Sequence, residues 1–231
     1  LKITVNEIIN STKCYGDQSG SAILNVYGGV PPYNYNWFGE NNLFLNAGSY
    51  IYNVSDNNNC NFSGVAVIQQ PNAIIVSSSV TPSSCPNTND GGVNLNIIGG
   101  TPPYNINWGG VNPTNLISGN YDFTVYDSNL CLDSNQVTVY SVSNILVQTT
   151  IDNISCFDKC NGEISLLVSN GIFPYQIEIL DSNSNFQNED SLCKGWYTYK
   201  VTDGLSCFVV DSFEVLKPNK LEGNIIVQGN Y

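Results

Sequence analysis

The sequence GGVPPY at residues 28–33 returns as GGTPPY at residues 99–104, and a third version, NGIFPY, occupies residues 170–175. The copies are 71 residues apart, and the first two segments superpose at this shift without a gap. The third segment follows the same pattern but carries a five-residue insertion within about 180–191. Self-similarity at a fixed period is the signature of a repeat protein.

We therefore predict three tandem repeats, which are followed by a short extra segment. The predicted boundaries are 1–71, 72–142 and 143–218, with 219–231 as the remainder. Within each repeat the apolar residues alternate with polar ones, as at Tyr50, Tyr52 and Val54. A period of two and frequent Gly, Pro and Asn turns are typical of antiparallel sandwiches. The predicted fold is all-β, with three immunoglobulin-like, disulfide-bridged domains.

Composition excludes several functions. The chain has 231 residues, with 7 basic and 19 acidic side chains and a net charge of -12. Such a chain lacks the basic face that nucleic acid or an anionic membrane requires. Histidine is absent, which removes histidine-based nucleophile pairs and metal sites. No apolar run approaches the length of a membrane-spanning helix. We predict a protein that is not an enzyme, does not bind nucleic acid and does not insert into a membrane.

Eight cysteines follow the repeat. Within the first and second repeats the two cysteines are 46 residues apart, and the first cysteines of the three repeats are 71 apart. This spacing predicts one bridge within each repeat and an additional bridge in the third: Cys14–Cys60, Cys85–Cys131, Cys156–Cys207 and Cys160–Cys193. Zinc binding by Cys156 and Cys160 is the alternative, but it lacks a matching second pair. Disulfides imply an oxidising, extracellular location.

The motif that the repeats share resembles the motif of a known family. The pattern Cys…Gly-Gly-x-Pro-Pro-Tyr-x-Tyr-x-Trp, then Leu-x-x-Gly-x-Tyr-x-x-x-Val-x-Asp…Cys, is similar to the SprB-type repeat. The resemblance implies a tandem module of a large bacterial surface or gliding adhesin, without catalysis. The third repeat departs from the pattern, because Phe173 replaces a proline and Ile179 replaces the tryptophan.

Prolines and tryptophans in the motif have a structural and a functional interpretation. Each of three prolines precedes a tyrosine, which favours a rigid turn and allows a cis bond: Pro32, Pro103 and Pro174. We expect Trp37 and Trp108 to fill the core against a bridge, as in immunoglobulin domains. A platform on which a sugar stacks is the alternative.

In each repeat, one aspartate lies four residues before the last cysteine: Asp56, Asp127 and Asp203. Their side chains suit a turn, because Asp bonds to nearby backbone. Calcium bound at domain junctions is the alternative, and it is the one cofactor that the sequence suggests.

Four asparagines begin Asn-x-Ser/Thr sequons and are candidates for glycosylation: Asn10, Asn53, Asn61 and Asn153.

The C-terminal segment resembles the opening strand of a repeat. It contains Leu221, Ile225, Ile226 and Val227. This segment is either the start of a further repeat or a strand donated to the sheet of a neighbouring subunit. The strand at Ile3, Thr4 and Val5 could be donated in the same way.

Two functions follow from these features. The first is a subunit or stalk segment of an extracellular cell-surface filament or adhesin, whose partners are neighbouring copies or further repeats. The second is a carbohydrate-binding repeat, whose partners are surface glycans. An enzyme would need a distinctive carboxylate pair, and none stands out among the 19 acidic residues.

Overall fold

A computed structural model of the chain describes residues 2–223, and its regular elements within that range are all β-strands. The strand pairs in the sheets of the first and third repeats are antiparallel. The all-β prediction is therefore confirmed. The strands are β1 (Thr4–Asn10), β2 (Ser21–Tyr27), β3 (Asn34–Asn36), β4 (Gly48–Ser55), β5 (Asn61–Ile68), β6 (Ile75–Thr81), β7 (Gly92–Ile98), β8 (Asn105–Asn107), β9 (Gly119–Tyr126), β10 (Leu132–Val139), β11 (Leu146–Asp152), β12 (Glu163–Ser169), β13 (Gln176–Asp181), β14 (Phe186–Gln187), β15 (Gly195–Thr202) and β16 (Phe208–Val215).

The chain forms two compact units. Unit 1 comprises Leu1–Val80, Val93–Pro113 and Asn120–Thr138, and unit 2 comprises Thr81–Gly92, Thr114–Gly119 and Val139–Tyr231. Apart from single residues at strand ends, unit 1 holds the sheets β1-β2, β3-β4-β5, β6-β7 and β10-β9-β8. Unit 2 holds β11-β12 and β14-β13-β15-β16.

Each repeat contributes one two-stranded sheet and one sheet of three or four strands. A seven-stranded immunoglobulin domain would need more strands than the five found in the first and second repeats. The immunoglobulin-like assignment is therefore not confirmed.

Strand alternation places the core where the sequence pattern indicates. In β4, Tyr52 and Val54 are buried, while Ile51, directly before Tyr52, is exposed. In β15, Tyr197, Tyr199 and Val201 are all buried. A strand directs successive side chains to opposite faces, so each repeat buries one face and wets the other.

The proline motif forms a turn that is tied to the preceding glycines. The peptide bonds before Pro32, Pro103 and Pro174 are cis, as the predicted turn allows. The Tyr33 hydroxyl donates a hydrogen bond to the Gly28 carbonyl at 2.6 Å, and Tyr104 makes the equivalent bond to Gly99. In the third repeat, Tyr175 donates to the Gly171 carbonyl at 3.1 Å, one position later in the motif.

In the second repeat, the proline turn requires a glycine at position 99. Gly99 has a φ of 77°, and a Cβ there would lie 1.9 Å from the Ala73 carbonyl oxygen. The motif therefore packs directly against the segment that enters β6.

Trp37 and Trp108 pack on aromatic side chains instead of a bridge. Trp37 lies 5.2 Å from Tyr52 between ring centroids, and Trp108 lies 5.0 Å from Phe123. Both tryptophans are half-buried. The expectation that they pack against a disulfide is wrong, because no disulfide crosses either core.

Candidate functional site: disulfide junctions between consecutive repeats

Two disulfides join neighbouring repeats. In unit 1, Cys14 of the first repeat bonds to Cys131 of the second, across a sequence separation of 117. In unit 2, Cys85 of the second repeat bonds to Cys207 of the third, across a separation of 122. The predicted bridges within repeats, Cys14–Cys60, Cys85–Cys131 and Cys156–Cys207, are therefore wrong. The predicted Cys160–Cys193 bridge is present, and Cys60 and Cys156 are unbridged and exposed.

The geometry of the first repeat explains why its own cysteines do not pair. In the turn that holds Cys60, the Asp56 carboxylate accepts the Val30 amide. Val30 follows Gly28 and Gly29, which lie against the residues just before β1. Cys14 follows the other end of β1, where the Thr12 amide donates to Gln69 beyond β5. A seven-residue strand spans about 23 Å, whereas bridged Cα atoms lie within roughly 7 Å. Cys14 and Cys60 are thus at opposite ends of the repeat.

A buried aspartate organises each turn that contains the second cysteine. One Asp56 oxygen accepts the amides of Asn58 and Cys60, both at 2.9 Å, and the other accepts the Val30 amide at 3.0 Å. Asp127 and Asp203 accept the equivalent amides in the second and third repeats, at 2.8–3.0 Å. These three side chains are only 3–5% exposed. Each aspartate therefore holds its cysteine turn against the proline motif.

This geometry assigns a structural role to the three calcium candidates. Both oxygens of each carboxylate are engaged by backbone amides. Within residues 2–223, no group of three or more Cys, Asp and Glu side chains is arranged to bind a metal ion. The structure does not bring the three aspartates together, because each serves its own repeat.

We expect the stability of the chain to fall in acid because of these turns. Burial raises the pKa of Asp56 and Asp203, but the amides that donate to each carboxylate outweigh burial and lower both pKa values below 3.8. Lowered folded-state pKa values stabilise the fold fully above the ordinary aspartate range, and this contribution is lost as pH falls through them. Thermal unfolding from pH 7 to pH 2 should show a plateau down to about pH 4 and a fall below it. A midpoint that rises below pH 4 would contradict this account.

The two junctions share the same local contacts. The Cys131 sulfur lies 3.4 Å from the Lys13 carbonyl oxygen, and the Cys207 sulfur lies 3.5 Å from that of Ser84. Lys13 and Ser84 occupy equivalent positions, each just before the first cysteine of its repeat. In unit 1, the Asn129 amide also donates to Lys13 O at 3.2 Å. The bridge is therefore a recurring feature of consecutive repeats.

A groove flanks the first junction. One wall comes from the first repeat and the segment after it, and the other comes from the cysteine turn of the second repeat. The first wall includes Cys14, Tyr15, Pro71, Asn72, Ala73 and Ile74, and the second includes Asp127, Leu130, Cys131, Leu132 and Asp133.

The sequons lie at the surface or close to it. Asn10, Asn61 and Asn153 are exposed, and Asn53 is half-buried. The Asn53 amide donates to Ser63 at 3.0 Å, and the Asn10 amide donates to Ser21 at 2.9 Å. Glycosylation at these positions stays a prediction.

The two candidate donor strands differ in what the structure shows. Thr4 and Val5 belong to β1, which pairs with β2 of the same repeat, and Ile3 is buried. The N-terminal strand is therefore paired within its own repeat, and its donation to another subunit stays a prediction. Leu221 is exposed, while Ile225, Ile226 and Val227 lie outside the described residues.

These features define a class: an all-β repeat protein whose consecutive repeats are joined by disulfides. The family model of the SprB repeat matches residues 6–42 and 148–184, in the first and third repeats. This match is consistent with a SprB-type repeat protein and confirms the predicted resemblance. This repeat is a structural module of surface-exposed proteins and suggests an adhesin-type repeat protein. A comparison with curated proteins finds no match. No helix among the described residues is long and apolar enough to cross a membrane.

Proposed function

We propose that this chain is a non-enzymatic, load-bearing segment of an extracellular surface adhesin or filament. The observation that carries the proposal is the disulfide between the first cysteine of one repeat and the second cysteine of the next. A bridge of this kind carries tension covalently from one repeat to its neighbour. Oxidising conditions outside the cell would preserve it. We also propose that each repeat is a small sandwich domain, with boundaries at 1–71, 72–142 and 143–218.

The bridges overlap along the chain, and this overlap limits how far the protein can be stretched. From Cys14, the shortest covalent path crosses to Cys131, follows the backbone over 29 residues to Cys160, crosses to Cys193 and follows 14 residues to Cys207. A second path of nearly equal length returns from Cys131 over 46 residues to Cys85 and crosses to Cys207. A fully extended chain reaches about 3.4 Å per residue, so the shortest path is about 150 Å long.

Single-molecule stretching tests this function. A variant with Cys60→Ser and Cys156→Ser removes the free thiols and should leave both junction bridges intact. Pulled at its termini, the region from Cys14 to Cys207 should extend to about 150 Å when oxidised and about 660 Å when reduced.

The length of the oxidised variant also reports the bridge pattern. Bridges within repeats would leave Cys85–Cys131 and Cys160–Cys193 in this variant, and the same region would reach about 390 Å. An oxidised extension of that length, or one equal to the reduced length, would overturn the load-bearing proposal.

Assembly through a donated C-terminal strand, from residues 219–231, is a further element of this proposal. The exposure of Leu221 supports it, since an apolar side chain at the start of this segment has no cover.

Carbohydrate binding is the second candidate function, and one feature of the first repeat favours it. Trp37 lines two shallow grooves, one with Phe38 and Ile51 and the other with Tyr35 and Ile23. These four neighbours are all exposed. Aromatic faces at a groove are suited to stacking on a sugar ring, and polar side chains such as Asn42 line the second groove.

The second repeat provides a matched control for this candidate. Around Trp108, the equivalents of Tyr35 and Phe38 are Ile106 and Gly109. If the grooves bind sugar, Phe38→Ala should weaken binding of surface polysaccharides about tenfold or more, whereas Ile106→Ala should not. Glycan arrays and fluorescence titration would measure this. Absence of binding across a broad panel would exclude the carbohydrate function.

A further inference from the structure

We propose that Cys156 of one molecule forms a disulfide with Cys60 of a second copy, so that molecules join head to tail. The inference rests on the proposed structural function. It extends the type of disulfide that joins two repeats of one chain to a disulfide that joins two molecules. It commits the exposed end of the third repeat to one occupant, the cysteine turn of another copy's first repeat.

The bridge pattern identifies the two free thiols as complementary. Both junction bridges join the first cysteine of a repeat to the second cysteine of the following repeat. This rule uses four cysteines and leaves Cys156, the first cysteine of the third repeat, and Cys60, the second cysteine of the first repeat. Cys160 and Cys193 pair with each other and do not compete. Each free thiol is therefore of the type that bonds to the other.

The Cys60 turn already has the backbone of a bridged turn. The residue before the second cysteine is left-handed in every repeat, with φ of 61° at Asn59 and 65° at both Leu130 and Ser206. The Cys60 amide donates to Asp56 at 2.9 Å, the same distance as from Cys131 to Asp127 and from Cys207 to Asp203. Because this geometry exists without the bond, little ordering is needed to form it.

The Cys156 side presents the matching half of a junction. Its turn is closed by a hydrogen bond from Lys159 N to Cys156 O at 3.1 Å, as the Cys85 turn is closed from Thr88 at 3.2 Å. A groove beside Cys156 is lined by Phe157, Pro218 and Leu221 among others.

This groove repeats one wall of the groove at the Cys14 junction. The lining residues at 156, 157 and 218–221 are the repeat equivalents of those at 14, 15 and 71–74. At the Cys14 junction the opposite wall is the Cys131 turn of the next repeat. At Cys156 no described residue supplies that wall. The equivalent element of this protein that has an unbridged cysteine is the Cys60 turn.

The covalent step requires an oxidant, and a small disulfide such as oxidised glutathione supplies it. The Cys156 thiolate attacks the glutathione disulfide, forms a mixed disulfide and releases one reduced glutathione. The Cys60 thiolate of the second copy then attacks the protein sulfur and releases the other. Two protein thiols are oxidised, one glutathione disulfide is reduced to two thiols, and the two protons lost by the protein thiols end on the released glutathione.

Mixing two single variants tests the pairing. The full chain is made in a host that does not glycosylate asparagine, so that Asn61 beside Cys60 carries no glycan. Cys60→Ser retains only the Cys156 thiol, and Cys156→Ser retains only the Cys60 thiol. In a glutathione redox buffer the equimolar mixture should give heterodimers in about tenfold excess over either homodimer. After denaturation in SDS, which separates strand-paired subunits, the unmodified chain should give a ladder of oligomers that disappears on reduction.

Several outcomes would overturn the proposal. They are the absence of oligomers, a heterodimer excess no greater than the roughly twofold value of random thiol collision, a ladder that survives reduction, and Cys156 mapped by peptide analysis to Cys160 or Cys193. Oligomers that SDS separates without reduction would indicate strand donation instead. The stretching experiment uses a variant without either free thiol, so failure here leaves the load-bearing function of the junctions standing, and the reverse also holds.

Discussion

Replacing Cys14 and Cys131 with serine should lower the free energy of unfolding by about 5 kcal/mol. The bridge closes a loop with a sequence separation of 117, and the chain-entropy account assigns its stabilisation to the freedom that the unfolded chain regains without it. Both cysteines are half-buried, so serine leaves no large cavity. The measurement is denaturant unfolding under oxidising conditions, in the background of Cys60→Ser and Cys156→Ser.

That background protein is the control, and it should unfold with the stability of the monomeric unmodified chain because neither replaced cysteine is bridged within the chain. Peptide mapping of the oxidised background protein should recover the Cys14–Cys131 and Cys85–Cys207 links. If the double serine variant lost less than about 1 kcal/mol of unfolding free energy, the junction bridge would not stabilise the fold as proposed.

Asp203→Ala should cost about 3–4 kcal/mol of unfolding free energy. The Asp203 carboxylate accepts the amides of Ile172, Leu205 and Cys207 and the hydroxyl of Ser143, at 2.6–3.0 Å. Ser143 is completely buried, so its hydroxyl would lose its partner without access to water. The alanine variant leaves several donors unsatisfied at once, which is costlier than losing one exposed hydrogen bond.

Asp158→Ala is the matched control, because Asp158 is exposed and its removal should not measurably change the unfolding midpoint. Ser143→Ala should lie between the two, at about 1 kcal/mol, since it removes one donor and leaves the carboxylate bonded to three amides. If Asp203→Ala were as stable as Asp158→Ala, the aspartate would not organise the turn.

Strand content, turn positions and the repeat period could all be predicted from the sequence, because they depend on neighbours within a few residues. Alternating side chains such as Tyr52 and Val54 indicate a half-buried strand wherever they occur. The Pro-Pro-Tyr motif likewise predicts its own turn. The sequence also predicts that the three aspartates lie in turns, and this is confirmed. It does not predict that each aspartate accepts one further amide from a distant loop: Val30, Thr101 and Ile172, respectively.

Cysteine pairing could not be predicted in the same way. The repeat spacing allows a first cysteine to bond to the second cysteine of its own repeat or of the next, and the sequence does not distinguish these alternatives. The signal that was missed is the length of β1, which separates Cys14 from the turn of Cys60. That signal could be used only with the knowledge that the Cys60 turn packs beside Gly29, and that Gly29 lies against Ile3, just before β1.

The sequence by itself determined that this is an all-β, acidic, cysteine-containing repeat protein whose motifs resemble the SprB repeat. Only the tertiary structure decided which cysteines meet and which two remain free. The physical reason is that strand alternation and turns are local properties of the chain, whereas a disulfide requires two Cα atoms within roughly 7 Å. That proximity depends on how strands separated by more than a hundred residues pack.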